Sequence, residues 1–435
     1  MKLTDHQQEV FDSLIVCLDK AFTSTVLEDR IIRLSGPAGV GKTTLLAEVV
    51  KHYHGSKNIK LTTPTHKSLR VAQNFISKLN IEIESSTIHS FLKLKMKPNY
   101  SNGLMDIVMD KFSKEKGKFD LVICDEFSMV DNTLYDFAIQ GMKQGRMKVL
   151  LFLGDLYQLP PVTSEEPELS KVMEIKNSFE LTKVVRQALD NPIIRLSNEV
   201  RKCIESEVYP NIHSIFRTEE ECSDSRITFF NNPKDFVTDY INNEKFFLDT
   251  AIITYTNDKV DQFNTVIKRI TQPDNPFYHK GDHIILQDSN VVGDTPIHQN
   301  GDEIEILEAE KMYDDELDIN YWLITDTNNK SLKTIDPEHK TKFSNIMKVI
   351  AQEVSKMEGS KKNEGWKEYF SLKAEYTDIK HSYAFTTHKS QGSSVEEVYF
   401  DIRDLPYHYK RDPDTIYRLI YVAITRASEN LKILK

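Results

Sequence analysis

The chain has 435 residues, of which 39% are apolar and 28% charged, the balance of a globular protein with two or three domains. No run approaches the roughly 20 apolar residues that cross a bilayer, so a membrane-spanning protein is not expected. A net charge of -10 argues mildly against a protein that grips duplex DNA by bulk attraction. A protein that holds a few nucleotides through backbone amides, hydroxyls and aromatic rings needs no broad basic surface.

The cysteines and the first residues indicate the cellular compartment. The four cysteines form no CxxC pair and no zinc spacing, which predicts reduced thiols. Residues 1–10 are polar and lack the basic-then-apolar order of a secretory signal. We therefore expect a cytoplasmic protein. The cysteines are Cys17, Cys124, Cys203 and Cys222.

Two series of short apolar runs alternate with amphipathic helical patterns along the chain. This alternation predicts parallel sheets that are covered by helices on both faces. The first series of predicted strands covers residues 31–35, 59–63, 121–124 and 149–153. The second covers residues 228–230, 251–254, 383–386, 398–401, 421–424 and 431–434.

Two segments that differ in composition and residue pattern interrupt these series. Residues 91–118 are rich in Lys and Met, with turn signals at Pro98-Asn99 and Asn102-Gly103. In residues 272–378, the part 281–332 alternates like small antiparallel strands, and the part 337–376 is lysine-rich and helical. Both segments are therefore predicted to be insertions.

A glycine-rich loop between the first predicted strand and a helix matches G-x-x-x-x-G-K-[ST]. Its glycines allow backbone N–H groups to surround phosphate oxygens at the positive end of the helix. Lys42 is predicted to neutralise the β- and γ-phosphates of ATP, and Thr43 to offer its hydroxyl to Mg²⁺. The alternative, a glycine turn without a ligand, is disfavoured by the strand, the helix and the carboxylates that follow. The predicted ATP-binding residues here are Gly36, Pro37, Ala38, Gly39, Val40, Gly41, Lys42, Thr43 and Thr44.

Two carboxylates follow the apolar run 121–124, at the edge of a parallel sheet where ligands bind. We expect Asp125 to hold the magnesium shell and Glu126 to polarise the attacking water. After the next run, Gly154-Asp155 leads to Gln158, whose amide is suited to bonding the γ-phosphate. The alternative for Gln158 is a surface side chain in a proline-terminated loop.

Ten motifs in register over nearly the whole chain resemble superfamily 1 DNA helicases of the 5′-to-3′, RecD- and Dda-like branch. Residues 366–376 and Asn300-Gly301-Asp302 add to the Dda-like pattern. The motifs are Leu3-Thr4 with Gln7, the glycine-rich loop, residues 63–67, 86–90, Asp125-Glu126, 154–161, 180–186, Thr254 with Asn257, 384–392 and 421–427.

The resemblance implies an α/β fold with two RecA-like parallel-sheet domains. The first domain would comprise residues 1–178, with a small pin insertion at 91–118. The second would comprise 179–271 and 379–435, with an SH3-like sheet and a helical segment inserted at 272–378.

The resemblance also implies roles at the ATP site. Gln7 would recognise the adenine edge, unless it is a capping or surface residue. Arg186 and Arg426 would reach the γ-phosphate from the second domain, whereas the alternative for each is a surface salt bridge. Gln391 and Gly392 would belong to the ATP site and couple it to DNA. The implied catalytic residues are Lys42, Glu126, Gln158, Arg186 and Arg426.

The implied DNA contacts carry hydroxyls, imidazoles and helix starts suited to phosphate oxygens. The Thr residues among them could equally be helix caps. His89 and His388 have no metal-ligand companions, so a zinc role is rejected. The residues are Thr63, Pro64, Thr65, His66, Thr87, His89, Thr254, Asn257, Thr386 and His388.

The pin residue stays open among three candidates, Tyr100, Met105 and Phe112, each of which could instead anchor the insertion. The aromatic residues within 366–376 have helical spacing, which predicts a packed helix face.

The resemblance implies an ATP- and Mg²⁺-dependent helicase in a bacterial or phage-infected cell that translocates 5′ to 3′ on single-stranded DNA and separates duplex strands. It would act as a monomer in replication, recombination or repair. Its partners would be single-stranded DNA, duplex/single-strand junctions and single-strand-binding or recombination proteins. The alternative is a helicase-like ATPase subunit or nucleotide switch within a recombination or nuclease complex. Single-strand contacts alone do not distinguish DNA from RNA.

Overall fold

The structure, a computed structural model, describes residues 3–78, 81–110, 119–161, 170–184, 190–217, 220–221, 225–243, 246, 249–274, 277–292 and 295–435. The chain forms two compact units. The first contains Met1–Leu94, Met109–Thr256 and Thr386–Lys435, and the second contains Lys95–Val108 and Asn257–Phe385. Within the described ranges, no helix has both the length and the apolarity that a membrane span requires.

The helices and strands are numbered in chain order over the described residues. The helices are α1 Asp5–Thr23, α2 Lys42–Tyr53, α3 His66–Ser77, α4 Ile88–Leu92, α5 Asn132–Lys143, α6 Pro192–Ser206, α7 Ile212–Ile215, α8 Pro233–Ile241, α9 Asn257–Thr271, α10 Lys340–Ser355, α11 Gly359–Glu375, α12 Thr387–Ser390, α13 Leu405–Tyr409 and α14 Pro413–Thr425. The strands are β1 Ile31–Ser35, β2 Ile59–Thr63, β3 Glu84–Thr87, β4 Leu94–Asn99, β5 Leu104–Met109, β6 Phe119–Asp125, β7 Met147–Gly154, β8 Asn177–Glu180, β9 Glu220–Glu221, β10 Arg226–Phe230, β11 Thr250–Thr254, β12 His283–Leu286, β13 Asn290–Val292, β14 Thr295–His298, β15 Glu303–Asp314, β16 Ile319–Asp326, β17 Ser331–Ile335, β18 Ile379–His381, β19 Ala384–Thr386, β20 Val395–Asp401 and β21 Ala427–Leu434.

The first sheet is parallel throughout, in the order β3-β2-β6-β7-β1-β8. Successive residues of β6 pack into different cores: Leu121 and Ile123 join the cluster around α1 and α2, and Val122 joins the cluster around α5. A strand buried on both faces needs a continuous apolar run, which explains its sequence. β8 spans the expected boundary at residue 178 and pairs with β1, so the first sheet extends to Glu180.

The second sheet has β11, β20, β21 and β10 side by side and parallel, with the short antiparallel β9 next to β10. Its largest apolar cluster is formed with α6 and α14. Two parallel sheets covered by helices confirm the predicted α/β fold class with two RecA-like domains.

The predicted strand at residues 421–424 is wrong, because these residues form the last turn of α14. The helix begins at Pro413 after the N-cap Asp412, whose side chain accepts from the Thr415 N–H. Residues 419–424 are all buried. A helix buried on every side has no polar face, so a short apolar run within it cannot be distinguished from a strand by periodicity.

The second unit contains an antiparallel sheet in the order β17-β16-β15-β12-β18, together with α10 and α11. The expected antiparallel strands and helical segment in this stretch are therefore present. The buried ammonium of Lys268 on α9 lies 2.5 Å from the carboxylate of Asp282, just before β12. This ion pair fixes the start of the inserted sheet against α9.

The segment at 91–118 contains a hairpin of β4 and β5, and residues 95–108 of it belong to the second unit. The Gly103 backbone lies against the Trp366 indole of α11, where an added Cβ would come within 2.4 Å of the ring. The rings of Tyr100 and Phe370 are 6.4 Å apart. The predicted aromatic helix face thus packs on the hairpin. Phe112, the third pin candidate, lies outside the described residues.

Candidate functional site

The glycine-rich loop follows β1 and turns into α2. Gly39 and Gly41 have φ values of 79° and 84°, which only glycine adopts without strain. Gly36 has no room for a side chain, since a Cβ there would lie 2.9 Å from the Leu181 carbonyl oxygen. The glycines therefore allow the loop to turn tightly into the start of α2, where a helix N-terminus can hold phosphate.

The Lys42 ammonium lies within this loop. Its Nζ donates to the carbonyl oxygens of Gly36 at 2.5 Å and Pro37 at 2.9 Å. These are hydrogen bonds to neutral groups, which phosphate oxygens of opposite charge can replace. The lysine is thus positioned for a nucleotide without being part of the apolar core.

A cleft of about 370 Å³ lies in front of the loop. Residues from both sheets line it, so the structure brings together Lys42, Thr43, Glu126, Gln158 and Arg426, five residues predicted from sequence. The lining residues are Pro37, Ala38, Gly39, Gly41, Lys42, Thr43, Thr44, Glu126, Asp155, Gln158, Thr425 and Arg426.

The two carboxylates after β6 differ in environment. Glu126 lines the cleft with a φ of 62°, unusual for a residue with a side chain. Asp125 Oδ1 accepts from the Glu126 N–H at 2.9 Å. Burial, followed by the nearby Glu126 charge, raises the pKa of Asp125 to about 7. A bound cation would oppose both effects and keep this carboxylate ionised.

Two oxygen-bearing side chains, Thr43 in the cleft lining and Asp125 next to Glu126, are candidates for holding a magnesium ion that binds together with a nucleotide. Among the described residues, no group of three or more His, Cys, Asp or Glu could hold a metal alone. Mg²⁺ prefers oxygen ligands and commonly takes one or two from the protein and the rest from phosphates and water. Thr43 and Asp125 would supply the protein oxygens, and the metal would neutralise phosphate charge.

Arg426 is the C-cap of α14 and is 7% exposed. Its Nη1 donates to the Ser393 carbonyl at 2.8 Å, and its Nε donates to the Val422 carbonyl at 3.2 Å. Burial lowers the pKa of the guanidinium from its ordinary value, while the charge of Glu126 raises it. An arginine held by backbone carbonyls at a cleft presents a rigid positive charge. Arg186, the other arginine predicted to reach the γ-phosphate, lies outside the described residues.

Gln7 does two things in the structure. Its Oε1 accepts from the Thr4 N–H at 2.9 Å and completes a capping box at the start of α1. Its Nε2 donates to the Val40 carbonyl of the glycine-rich loop at 2.8 Å. Gln7 does not line the cleft itself. The capping alternative raised from the sequence is therefore present, and the same side chain also supports the loop.

The predicted DNA contacts include the last residues of four strands. Thr63 ends β2 and pairs in register with Thr87 at the end of β3. Thr254 ends β11, and its carbonyl accepts from the Thr387 hydroxyl at 3.3 Å, next to Thr386 at the end of β19. The predicted contacts thus gather at the carboxyl ends of both sheets.

Several of these residues cap helices, as the alternative reading expected. Thr65, Thr87 and Thr386 are the N-caps of α3, α4 and α12, and each hydroxyl accepts from a backbone N–H three residues later. Capping leaves the amides of a helix start aimed at the strand ends, where a phosphate can accept from them. His66 is the first residue of α3 and Asn257 the first residue of α9. Pro64 precedes the α3 N-cap.

His89 and His388 lie beside these helix starts, where His388 is half-buried and His89 stays exposed although its neighbours partly desolvate the ring. Desolvation is the main cause that lowers the pKa of both imidazoles. Both rings are therefore neutral near pH 7 and can exchange hydrogen bonds without carrying charge.

Gln391 and Gly392 do not line the cleft. The Gln391 Nε2 donates to the Leu159 carbonyl at 3.1 Å, in the loop after β7 that carries Asp155 and Gln158. Gly392 has a φ of 70° and lies against Ser68 of α3. These residues connect the two sheets beside the cleft.

Three residues have contacts at the cleft that the sequence did not predict: Asp155, which lines it, and Arg418 and Tyr421 of α14, which bind the segment carrying Asp155. The Asp155 carboxylate is 1% exposed and accepts from the Tyr421 hydroxyl at 2.7 Å. Arg418 donates to the Leu156 carbonyl at 2.7 Å. Because residues 421–424 were predicted to form a strand, Arg418 and Tyr421 were not recognised as neighbours on one face of a helix.

The chain is similar to known helicases in both halves of its sequence. The AAA domain family matches residues 19–208, and the UvrD-like helicase C-terminal domain family matches residues 381–434. The ATP-dependent DNA helicase Dda of Enterobacteria phage T4 is 26% identical over 457 residues, covering 98% of this chain and 97% of the relative. The ATP-dependent DNA helicase Pif1 of Campylobacter jejuni is 31% identical over 147 residues, which cover 31% of this chain and 30% of the relative.

A solved structure shares the fold. Pif1 from Bacteroides, in complex with ADP-AlF3 and single-stranded DNA, superposes with a TM-score of 0.51 at 17% identity. The match covers 99% of this chain and 92% of that chain. The chain is thus similar, over nearly its whole length, to superfamily 1 helicases of the Pif1- and Dda-like type.

Proposed function

We propose that the protein is an ATP-dependent DNA helicase that translocates on single-stranded DNA and separates duplex strands. We call the first sheet with its helices the first lobe and the second sheet with its helices the second lobe; both belong mainly to the first compact unit. The observation that carries this proposal is the cleft in which the glycine-rich loop (the P-loop), Glu126 and Gln158 of the first lobe meet Arg426 of the second. A simple nucleotide switch needs only the first set, whereas an arginine from a second lobe makes hydrolysis depend on how the lobes close.

Each residue at the cleft has its own proposed role in ATP hydrolysis. The loop amides and Lys42 hold the phosphates, and Thr43 with Asp125 would hold Mg²⁺. Glu126 orients and polarises the attacking water, and Gln158 bonds the γ-phosphate. Arg426 stabilises the charge that develops on the transferred phosphoryl group. We assign Arg186 the same task from the resemblance alone.

The strand ends supply a path for the DNA backbone. Thr63 and Thr87 on the first sheet and Thr254 and Thr386 on the second end neighbouring elements, each followed by a helix start or turn. Backbone amides and hydroxyls bind phosphates regardless of sequence, which suits a motor. This arrangement would allow a chain with a net charge of -10 to bind single-stranded DNA without a broad basic surface.

The β4–β5 hairpin is the proposed strand separator. Five of its large apolar side chains remain exposed although α11 packs on the hairpin, and such an exposed apolar patch is typical of an interaction surface. Stacking of one such side chain on the end base pair would contribute ~1–3 kcal/mol. Tyr100 and Met105 remain the candidates among the described residues. The exposed side chains are Met96, Tyr100, Leu104, Met105 and Ile107.

We further propose 5′-to-3′ polarity, action as a monomer and a domain division at residues 272 and 378, with the first boundary moved from residue 178 to the end of β8 at Glu180. Contact with a single-strand-binding protein or with replication and recombination proteins belongs to the same proposal. Polarity is tested with two duplexes that differ only in carrying a 5′ or a 3′ single-stranded tail. We expect separation of the 5′-tailed duplex in the presence of ATP and Mg²⁺. Separation confined to the 3′-tailed duplex would contradict the polarity, and separation of neither would contradict the helicase activity.

A further inference from the structure

The loop from Asp155 to Leu159, which we name the latch loop, is held by side chains from the second lobe. Arg418 Nη1 donates to the carbonyls of Leu156 at 2.7 Å and Gln158 at 3.3 Å. Gln391 donates to the Leu159 carbonyl at 3.1 Å. The second lobe thus binds three backbone carbonyls of the loop that supplies Asp155 and Gln158 to the cleft.

Tyr421 forms the most buried of these contacts. Its hydroxyl donates to Asp155 Oδ2 at 2.7 Å and accepts from the Ala38 N–H of the P-loop at 2.9 Å. Both the Tyr421 side chain and Asp155 are 1% exposed. One hydroxyl therefore joins α14, the latch loop and the P-loop in a site that excludes water, where a hydrogen bond to a carboxylate is strong.

The spacing on α14 connects this contact to Arg426. Arg418, Tyr421 and Thr425 are three and four residues apart and share one face of the helix. Arg426 follows directly as the C-cap. A shift or rotation of α14 relative to the first lobe would move the arginine by a similar amount, and misplacement by about 1 Å can cost 100-fold in rate.

We propose that Tyr421 is a positioning residue for ATP hydrolysis, whose hydroxyl holds α14 against the P-loop and Asp155 so that Arg426 reaches the transferred phosphate. This inference rests on the proposed role of Arg426. Arg418 and Gln391 support the same contact by holding the latch loop. Tyr421 acts through Arg426 and through the orientation of the lobe, without touching the nucleotide.

The Tyr421→Phe variant removes the hydroxyl and keeps the ring. We expect kcat for ATP to fall about tenfold, the rate equivalent of one buried hydrogen bond to a charged group. The KM for ATP should change far less, because the phosphate-binding residues remain in place. Tyr417→Phe is the matched control, since Tyr417 lies on the same helix and its hydroxyl donates to the Pro210 carbonyl at 2.5 Å, within the second lobe. Its turnover should equal that of the wild type.

A double-mutant cycle with Arg426→Ala distinguishes positioning from an independent role. If Tyr421 acts through Arg426, then Tyr421→Phe should cause no further loss of kcat in the Arg426→Ala background. Losses that multiply, or normal kcat in Tyr421→Phe with impaired Arg426→Ala, would overturn the positioning role and leave the arginine finger intact. Normal turnover in Arg426→Ala would instead overturn the finger itself, and the positioning role with it.

A second variant covers the case in which Tyr421→Phe fails to fold, as judged by its melting temperature. Arg418→Lys keeps a positive charge, but a single ammonium cannot replace two guanidinium nitrogens, of which Nε donates to Asp414 at 2.7 Å and Nη1 donates to the latch-loop carbonyls of Leu156 and Gln158. We expect the same fall in kcat with little change in KM. Wild-type kcat in this folded variant would contradict the inference.

Discussion

The side-chain amide of Gln391 donates a 3.1 Å hydrogen bond to the main-chain carbonyl of Leu159. Gln391 follows α12, which contains His388 and begins directly after Thr386 at the end of β19. Leu159 ends the latch loop, which places Asp155 and Gln158 at the nucleotide cleft. This bond is thus a short physical connection between a proposed DNA contact and the proposed ATP site.

The Gln391→Leu variant tests that connection. It keeps the volume of the side chain and removes the donor, so a buried carbonyl loses its partner. We expect the ratio of DNA-stimulated to basal ATP turnover to fall, while single-stranded DNA still binds. Turnover measured over a DNA titration gives both quantities. An unchanged stimulation ratio would show that the bond carries no coupling.

Substitution of Gly392 tests whether its close contact with Ser68 of α3 contributes to the stability of the protein. In Gly392→Ala, the Cβ would lie 2.8 Å from Ser68 Cβ and the φ of 70° would be strained. Gly145→Ala is the matched control, since φ is 75° there but no atom lies within 4 Å. We expect the control to lose about 1 kcal/mol of unfolding free energy and Gly392→Ala to lose clearly more.

The extra loss in Gly392→Ala should be partly recovered by adding Ser68→Gly, which removes the opposing Cβ. Urea unfolding of Gly392→Ala, Gly145→Ala, Ser68→Gly, the double variant and the wild type measures these differences, with Ser68→Gly as the reference for the double variant. Equal losses in Gly392→Ala and Gly145→Ala, or no recovery in the double variant, would mean that the Ser68 contact is unimportant.

Glu126→Gln tests the assignment of the catalytic base. The amide has the same shape, but it cannot polarise water, so turnover should fall by ~100-fold or more. ATP and single-stranded DNA should still bind, because Lys42, Thr43 and Asp125 are unchanged. Equilibrium binding of a labelled nucleotide and steady-state turnover check both statements. If nucleotide binding were lost as completely as in Lys42→Ala, Glu126 would be structural or metal-holding instead.

His381 predicts a specific pH dependence of stability. Burial lowers the pKa of its imidazole from 6.5 to about 4, and its Nε2 donates to the Phe277 carbonyl at 3.0 Å. Above pH 6.5 the ring is neutral in the folded and unfolded states, so its contribution is fully present. As the pH falls towards 4, the unfolded chain binds a proton that the folded chain does not, and stability is lost.

At pH 5 this loss should be about 2 kcal/mol relative to pH 8. His381→Phe cannot titrate and should show a flatter pH dependence of the unfolding free energy over this range. Urea unfolding of both proteins at pH 8 and pH 5 gives the comparison. Parallel pH dependences in the two proteins would mean that His381 is not held neutral.

Most of the fold follows from the sequence because its signals are local. The runs at 31–35, 59–63 and 121–124 are buried on both faces, and each leads into a turn and a helix, a pattern that few folds share. The glycine-rich loop carries its own requirement for positive φ. Ligand position at the carboxyl ends of parallel strands follows from topology, so Asp125, Glu126 and Gln158 could be expected near one another.

What the sequence did not reveal depends on tertiary burial. The run at 421–424 is apolar on all sides because α14 is enclosed by the second core, and this removed the helical period. Asp155 and Tyr421 owe their roles to a contact across 266 positions in the chain, which no local pattern records. The dual use of Gln7, as a helix cap and a support for the Val40 carbonyl, likewise depends on the packing of α1 on the loop.

The central claim is tested most directly by the rate of ATP hydrolysis with and without single-stranded DNA, with an RNA of the same sequence as a third arm and Lys42→Ala as the inactive control. We predict a low basal rate, a large stimulation by single-stranded DNA and no turnover in Lys42→Ala in any arm. A rate that single-stranded DNA leaves unchanged would contradict a DNA-driven motor. Stimulation of ATP hydrolysis by RNA alone would mean that the protein translocates on RNA instead of DNA.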